Sequence, residues 1–255
     1  MECDFKEKNP TAEKPAYGGE CAIFRRIGCV GDSLSSGEIE IVNGEKRYYP
    51  DLYEYSWGQF LARVTGAVAY NFSRGGMTAK EMISGWGESN GCFDETKKCQ
   101  AYVFALGVND LFGLKQEVGT EKDGGTDRET FARYYADLLA KYRSVEPNAK
   151  FFLVTMPREE SDGEDANLLK EKHAALLHAF ARSLPNTYVI DLYRYAPVYD
   201  AAFKKRYFYN GHMNASGYRL TAEMLISYIH SIVCARPDDF TDVPLIGTEY
   251  YDLLP

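Results

Sequence analysis

Four short stretches carry side chains suited to covalent chemistry on a carbonyl group. Gly31-Asp32-Ser33 offers a hydroxyl just after an apolar run, and Ser73-Arg74-Gly75-Gly76 offers two adjacent glycines. Gly107-Val108-Asn109-Asp110 offers an amide, and Asn210-Gly211-His212 an imidazole. A serine hydroxyl is a weak nucleophile at neutral pH and needs a base beside it. Histidine fits that task because it titrates near neutrality and can accept a proton and return it. Attack on an acyl carbonyl builds an oxyanion that must meet fixed donors at about 2.7–3.1 Å. The backbone N–H groups of Ser33 and of a glycine supply two, and the Asn109 amide a third. Together these residue types meet the needs of acyl transfer. Taken singly they have plainer readings: a helix N-cap for Ser33, a turn residue for Asn109.

Residues as far apart as 33 and 212 meet only if the fold carries them to one edge. Apolar, β-branched runs predict strands at 24–30, 67–72, 101–106, 150–155 and 187–192. Their near-continuous hydrophobicity predicts a parallel sheet covered on both faces. Helical periodicity predicts helices near 54–65, 78–86, 127–144, 165–183 and 215–232, the third capped by Thr126 or Asp127. Strands alternating with helices make a doubly wound α/β sandwich, which binds ligands outside the carboxyl ends of its strands. The serine, the glycine pair and the asparagine each follow a predicted strand, and His212 follows the last crossover.

One segment breaks the alternation. Residues 37–53 alternate Glu38, Ile39, Glu40 and Ile41 before Asn43-Gly44, which predicts an inserted β-hairpin. Its Tyr48, Tyr49, Tyr53 and Tyr55 either line a substrate cleft or pack on the body. The loop after the fourth strand brings Arg158 to the same rim as a candidate pocket residue. Glu159, Glu160 and Asp162 beside it lack the spacing of a calcium loop and read as a solvated acidic stretch. Asp32 and Asp110 read as braces for their loops, and His173, His178 and His230 as structural residues.

Composition narrows the partners. A net charge of −8 disfavours nucleic acid and anionic membranes, which recruit basic surfaces. No apolar run approaches the ~20 residues of a membrane span. Residues 1–20 read as a polar, disordered or loosely docked lead-in without the apolar core of a secretory signal. The expectation is a cytoplasmic protein, or a secreted one if a leader has been trimmed. Residues 21–235 read as one domain and 236–255 as an extended strap on its surface. The six cysteines show no zinc spacing; Cys92 and Cys99 could bridge in an oxidising compartment, with free thiols otherwise. No metal and no cofactor is called for, and the oligomeric state is open.

"GDSLSSGE", "NFSRGGMT", "GVND" and "GHMNASGY" resemble, in order, the four blocks of the SGNH (GDSL) hydrolases. The resemblance spans about residues 28–218 and implies a three-layer α/β/α flavodoxin-like fold with a five-stranded parallel sheet. It implies hydrolysis of esters, thioesters or amides through an acyl-enzyme. Ser33 is then the nucleophile, His212 the base, and Ser33, Gly76 and Asn109 the oxyanion hole. Gly76 is preferred to Gly75 because the family's glycine stands five residues after the strand-ending asparagine, here Asn71. Family habit makes a short acyl group, such as acetyl on a sugar, the first expectation for substrate, hence a small-molecule or glycan ester.

One departure stands out. The family's last block usually reads Asp-x-x-His, and here Tyr209 holds the aspartate's place. Either a backbone carbonyl near 209–210 holds the ring, which is the preferred reading, or another acid substitutes, with Asp191 the first candidate. The missing acid also keeps open a non-catalytic carbohydrate-binding or interaction module on the same fold. A nucleotide binder lacks a GxGxxG or Walker-type loop, and an α/β-hydrolase lacks a Gly-x-Ser-x-Gly elbow.

Overall fold

A computed structural model of the chain describes residues 9–12 and 14–254; the predicted lead-in at 1–8 and at 13 lies outside them. The central sheet is formed by β1 (Arg26–Gly31), β4 (Val68–Ser73), β5 (Ala101–Ala105), β6 (Lys150–Val154) and β7 (Thr187–Ile190). Its order is β4-β1-β5-β6-β7, every neighbour parallel. The five strands fall within two residues of their predicted positions. Two antiparallel ribbons lie outside the sheet: β2 (Ile41–Asn43) with β3 (Lys46–Tyr48), and β8 (Phe208–Tyr209) with β9 (His212–Met213).

Alternating side chains send each strand's residues into two cores. Val30, Phe104, Phe151 and Leu153 pack on one face, under α5 (Phe131–Val145) and α6 (Glu164–Ser183). Ile27, Cys29, Val103 and Phe152 pack on the other, under α2 (Trp57–Thr65) and α9 (Ala215–Ala235). The result is the three-layer α/β/α sandwich. Shorter helices complete the loops: α1 (Ser33–Ser36), α3 (Ala79–Glu81), α4 (Gly87–Ser89), α7 (Leu192–Tyr195) and α8 (Ala201–Tyr207). Among the described residues no helix is long and apolar enough to cross a membrane.

Several expectations are corrected. The helix predicted over 78–86 is α3 followed by a π turn at Met82–Trp86. Helix α5 is capped by Thr130, not Thr126 or Asp127, and the Thr130 hydroxyl accepts from Arg133 N at 3.2 Å. Asp123 is the reason, because its carboxylate folds residues 120–130 back by bonding Thr120 Oγ1 at 3.0 Å and Thr130 Oγ1 at 2.8 Å. The end of the lead-in is ordered, as a 3-10 segment at Ala16–Ile23 that buries Cys21. The C-terminal stretch is not an extended strap. It forms 3-10 turns at Pro237–Phe240, Val243–Leu245 and Tyr251–Leu253, and it buries Phe240, Val243 and Ile246 in the core. Cys92 and Cys99 are buried free thiols.

Candidate active site at the carboxyl edge of the sheet

Strand register sets the geometry of the rim. Gly31 pairs with Ser73 of β4 on one side and Ala105 of β5 on the other, so the loops that follow leave the sheet level with one another. Asp32 caps α1, its Oδ1 accepting from Leu34 N at 3.0 Å. The Ser33 carbonyl accepts from Glu38 N at 3.1 Å, Ser36 Oγ at 3.2 Å and Tyr218 OH at 3.4 Å. The serine backbone is thus held, while among the described residues its hydroxyl and its N–H have no hydrogen-bond partner. Burial pushes the Asp32 carboxyl up to about 7, against the pull of the Leu34 N–H.

The two glycines differ. Gly76 takes φ +72° with open space where a Cβ would stand, and among the described residues its N–H has no partner. Gly75 N points to Asp51 Oδ2 at 3.5 Å, and a Cβ there would collide with the Glu38 carboxylate. Asn109 gives one amide hydrogen to Met77 O at 3.1 Å, leaving the second free. Asp110 Oδ1 accepts from Ala79 N at 2.9 Å and so ties the loop after β5 to the helix after β4. Burial pushes the Asp110 carboxyl up to about 6. Both aspartates brace their loops as expected.

His212 pairs with Tyr209 across the β8–β9 turn, yet no hydrogen bond joins its ring to a carbonyl there. The ring is held from the inserted segment instead. Glu38 Oε1 lies 2.9 Å from His212 Nε2, and the edge of Tyr49 meets the imidazole with centroids 5.8 Å apart. Glu40, buried beside them, accepts from Gly211 N at 2.5 Å and Tyr49 OH at 3.2 Å, and pairs with Arg47. Asn210 donates to the Glu40 carbonyl at 2.9 Å. His212 Nδ1 is buried with no partner among the described residues. Burial pushes the His212 pKa down, partly offset by Glu40 and Asp51. Burial, with Asp51 and Glu40 nearby, pushes the Glu38 carboxyl up to about 7.

Glu38 is the residue that sequence reasoning missed. The signal was present: residues 38–41 alternate as read, but the glutamates face inward and Ile41 is 40% exposed. Asp191, the expected substitute, is committed elsewhere, to His178 Nε2 at 3.0 Å and Thr155 Oγ1 at 3.1 Å. Arg158 is also placed away from the site, its guanidinium 5.8 Å from the centroid of the Tyr193 ring. Tyr48 and Tyr55 are about half exposed, and Tyr53 turns inward to bond Ala69 O at 3.0 Å. The acidic loop is paired rather than solvated. Lys170, 5% exposed, meets Asp162 at 2.8 Å and Glu159 at 3.4 Å, and Lys204 meets Glu159 at 2.7 Å. His173, buried, contacts Leu106 O at 3.2 Å, and burial pushes its pKa to about 4. Ser33, Asn109 and His212 line one cleft of about 400 Å³, together with Lys170 and Lys204.

The family model described as GDSL-like Lipase/Acylhydrolase family matches residues 29–220. Among solved structures, the fold is similar to a family 3 carbohydrate esterase from Clostridium thermocellum (15% identity, TM-score 0.55, covering 82% of this chain and 97% of that one). It is similar to a family two carbohydrate esterase from the same organism, solved with cellohexaose (17%, TM-score 0.60, covering 83% and 65%). A family 2 carbohydrate esterase with a carbohydrate binding domain, from Corynascus thermopiles, is also similar (17%, TM-score 0.57, covering 84% and 67%). At these identities the likeness concerns the fold. No curated protein sequence gives a significant match.

Proposed function

The chain belongs to the GDSL-like lipase/acylhydrolase family, whose members hydrolyse esters, and we propose that it cleaves short-chain esters through an acyl-enzyme on Ser33. The observation that supports this most is the set of unspent groups at one rim. Among the described residues the Ser33 hydroxyl, the Ser33 and Gly76 N–H groups and one Asn109 amide hydrogen have no partner, and neither has His212 Nδ1.

Ser33 Oγ attacks the ester carbonyl as His212 takes its proton. The oxyanion is held by Ser33 N–H, Gly76 N–H and the Asn109 amide, each such donor typically worth about 10²–10³ in rate. Collapse breaks the bond to the alcohol oxygen, which receives the proton from His212. Water then repeats the sequence on the acyl-enzyme and frees the acid. Glu38 takes the part of the absent aspartate: it accepts the Nε2–H and opposes the charge on the imidazolium. With Nε2 so engaged, Nδ1 is the nitrogen left with a lone pair for the serine proton. The carbohydrate esterases of similar fold and the half-exposed Tyr48, Tyr49 and Tyr55 support a glycan as the alcohol part.

Fluorophosphonate labelling tests the assignment. Wild type is modified at Ser33 and hydrolyses an activated acetyl ester, whereas Ser33→Ala is neither modified nor active. A folded wild type with inert Ser33 and no turnover leaves the non-catalytic binding module as the better reading.

A further inference from the structure

Behind the cleft lies a second cavity, of about 70 Å³, between the sheet and α9. Its apolar wall includes Leu34, Trp57, Leu106, Met156, Met213 and Leu225. Asp32, Leu34 and Ser35, the residues around the nucleophile, are part of its lining. Leu34, Val108, Met156, Pro157 and Tyr199 border both spaces, so the cavity continues the cleft.

Apart from the Asp32 carboxyl, whose Oδ1 accepts from Leu34 N at 3.0 Å, the polar side chains in this wall are spent. Ser35 Oγ accepts from Trp57 Nε1 at 3.3 Å, and Thr155 Oγ1 lies between Asp191 Oδ1 and Tyr193 N. The Thr221 hydroxyl donates to Gly217 O at 3.1 Å within its own helix. A cavity so lined offers water few partners and favours an apolar guest. At about 10–15 Å³ of such space per water molecule, it holds about five water-sized groups.

We infer that this cavity receives the acyl tail of the ester and selects tails of about three to five carbons, butanoyl to hexanoyl, over acetyl. The inference rests on the proposed acyl-enzyme at Ser33. With the carbonyl oxygen at the oxyanion donors, the tail enters past Leu34 and Val108, and its terminal methyl lies toward Leu225. Each methylene removed from water there raises kcat/KM about fourfold until the space is full.

The test is kcat/KM on p-nitrophenyl esters from acetate to decanoate, for wild type and two variants that change the far end of the cavity. Wild type rises from acetate to butanoate or hexanoate and falls at octanoate. Thr221→Leu, which fills the space, lowers hexanoate turnover at least tenfold with acetate within twofold of wild type. Leu225→Ala, which enlarges it, moves the optimum to longer chains. Acetate preferred by all three proteins, with parallel length profiles, overturns the tail site and makes the cavity a packing void. No turnover at any length, with Ser33 unlabelled, overturns the esterase reading itself.

Discussion

The inserted segment at 37–53 and the C-terminal segment at 236–254 attach to the sheet at opposite edges and by opposite means. The C-terminal segment covers the amino edge with apolar side chains. Phe240 packs on Tyr188, Phe24 and Phe152 with centroids 5.1–6.4 Å apart, and Val243 and Ile246 are buried beside it. The inserted segment stands at the carboxyl edge, and all six residues of β2 and β3 are exposed. What it buries is polar: Glu38 and Glu40, each spent on the loop that carries His212. One addition packs apolar side chains onto the core and the other presents acids to the loop that carries the proposed base, and burial alone would rank them the wrong way for the proposed function.

Three substitutions sharpen that contrast. Glu38→Gln is expected to lower kcat by as much as about 10⁴, the scale seen when a histidine loses its orienting acid. The melting temperature should hold, since the change removes a buried charge rather than a packed group. The pH profile carries the sign. Burial already holds His212 below the ordinary imidazole value, and a carboxylate beside the ring favours its protonated form. With the Glu38 carboxyl pushed up to about 7, its charge is lost as pH falls through that value, so Glu38→Gln removes the fall in kcat on the acid side near pH 7, and an unmoved acid side with unchanged kcat reduces Glu38 to a structural residue. Phe240→Ala should cost about 3–5 kcal/mol of stability in denaturant unfolding while kcat at low temperature stays at the wild-type value. The smallest effect belongs to Val42→Ser in β2, 44% exposed, expected within about 0.5 kcal/mol. A loss above 1 kcal/mol there would mean that the hairpin shares the core and erase the distinction.

The same contrast explains what was legible in the chain. The strands could be read closely because both faces of the sheet are buried, and a continuous apolar run such as 101–106 admits few other placements. The four rim residues could be read from block order, which survives separations that periodicity does not span. The start of α5 was hidden because Asp123 closes the preceding loop by side-chain bonds that no local pattern announces. Glu38 was hidden differently. A period of two states that faces alternate, and the usual assumption puts the isoleucines inward. Here two acids face inward because a histidine loop needs them. The C-terminal turns were missed because Phe240, Val243 and Ile246 follow no helical or strand period, although each is apolar and each is buried.

The contact between Gly75 and Glu38 has a mechanical consequence. The carboxylate that meets the imidazole on one side leaves no room for a Cβ on Gly75 on the other. The loop and the ring therefore bear on a single side chain, like two plates on one spacer. A Cβ on Gly75 is therefore expected to shift the Glu38 carboxylate and with it the His212 ring, while the sheet below keeps its packing.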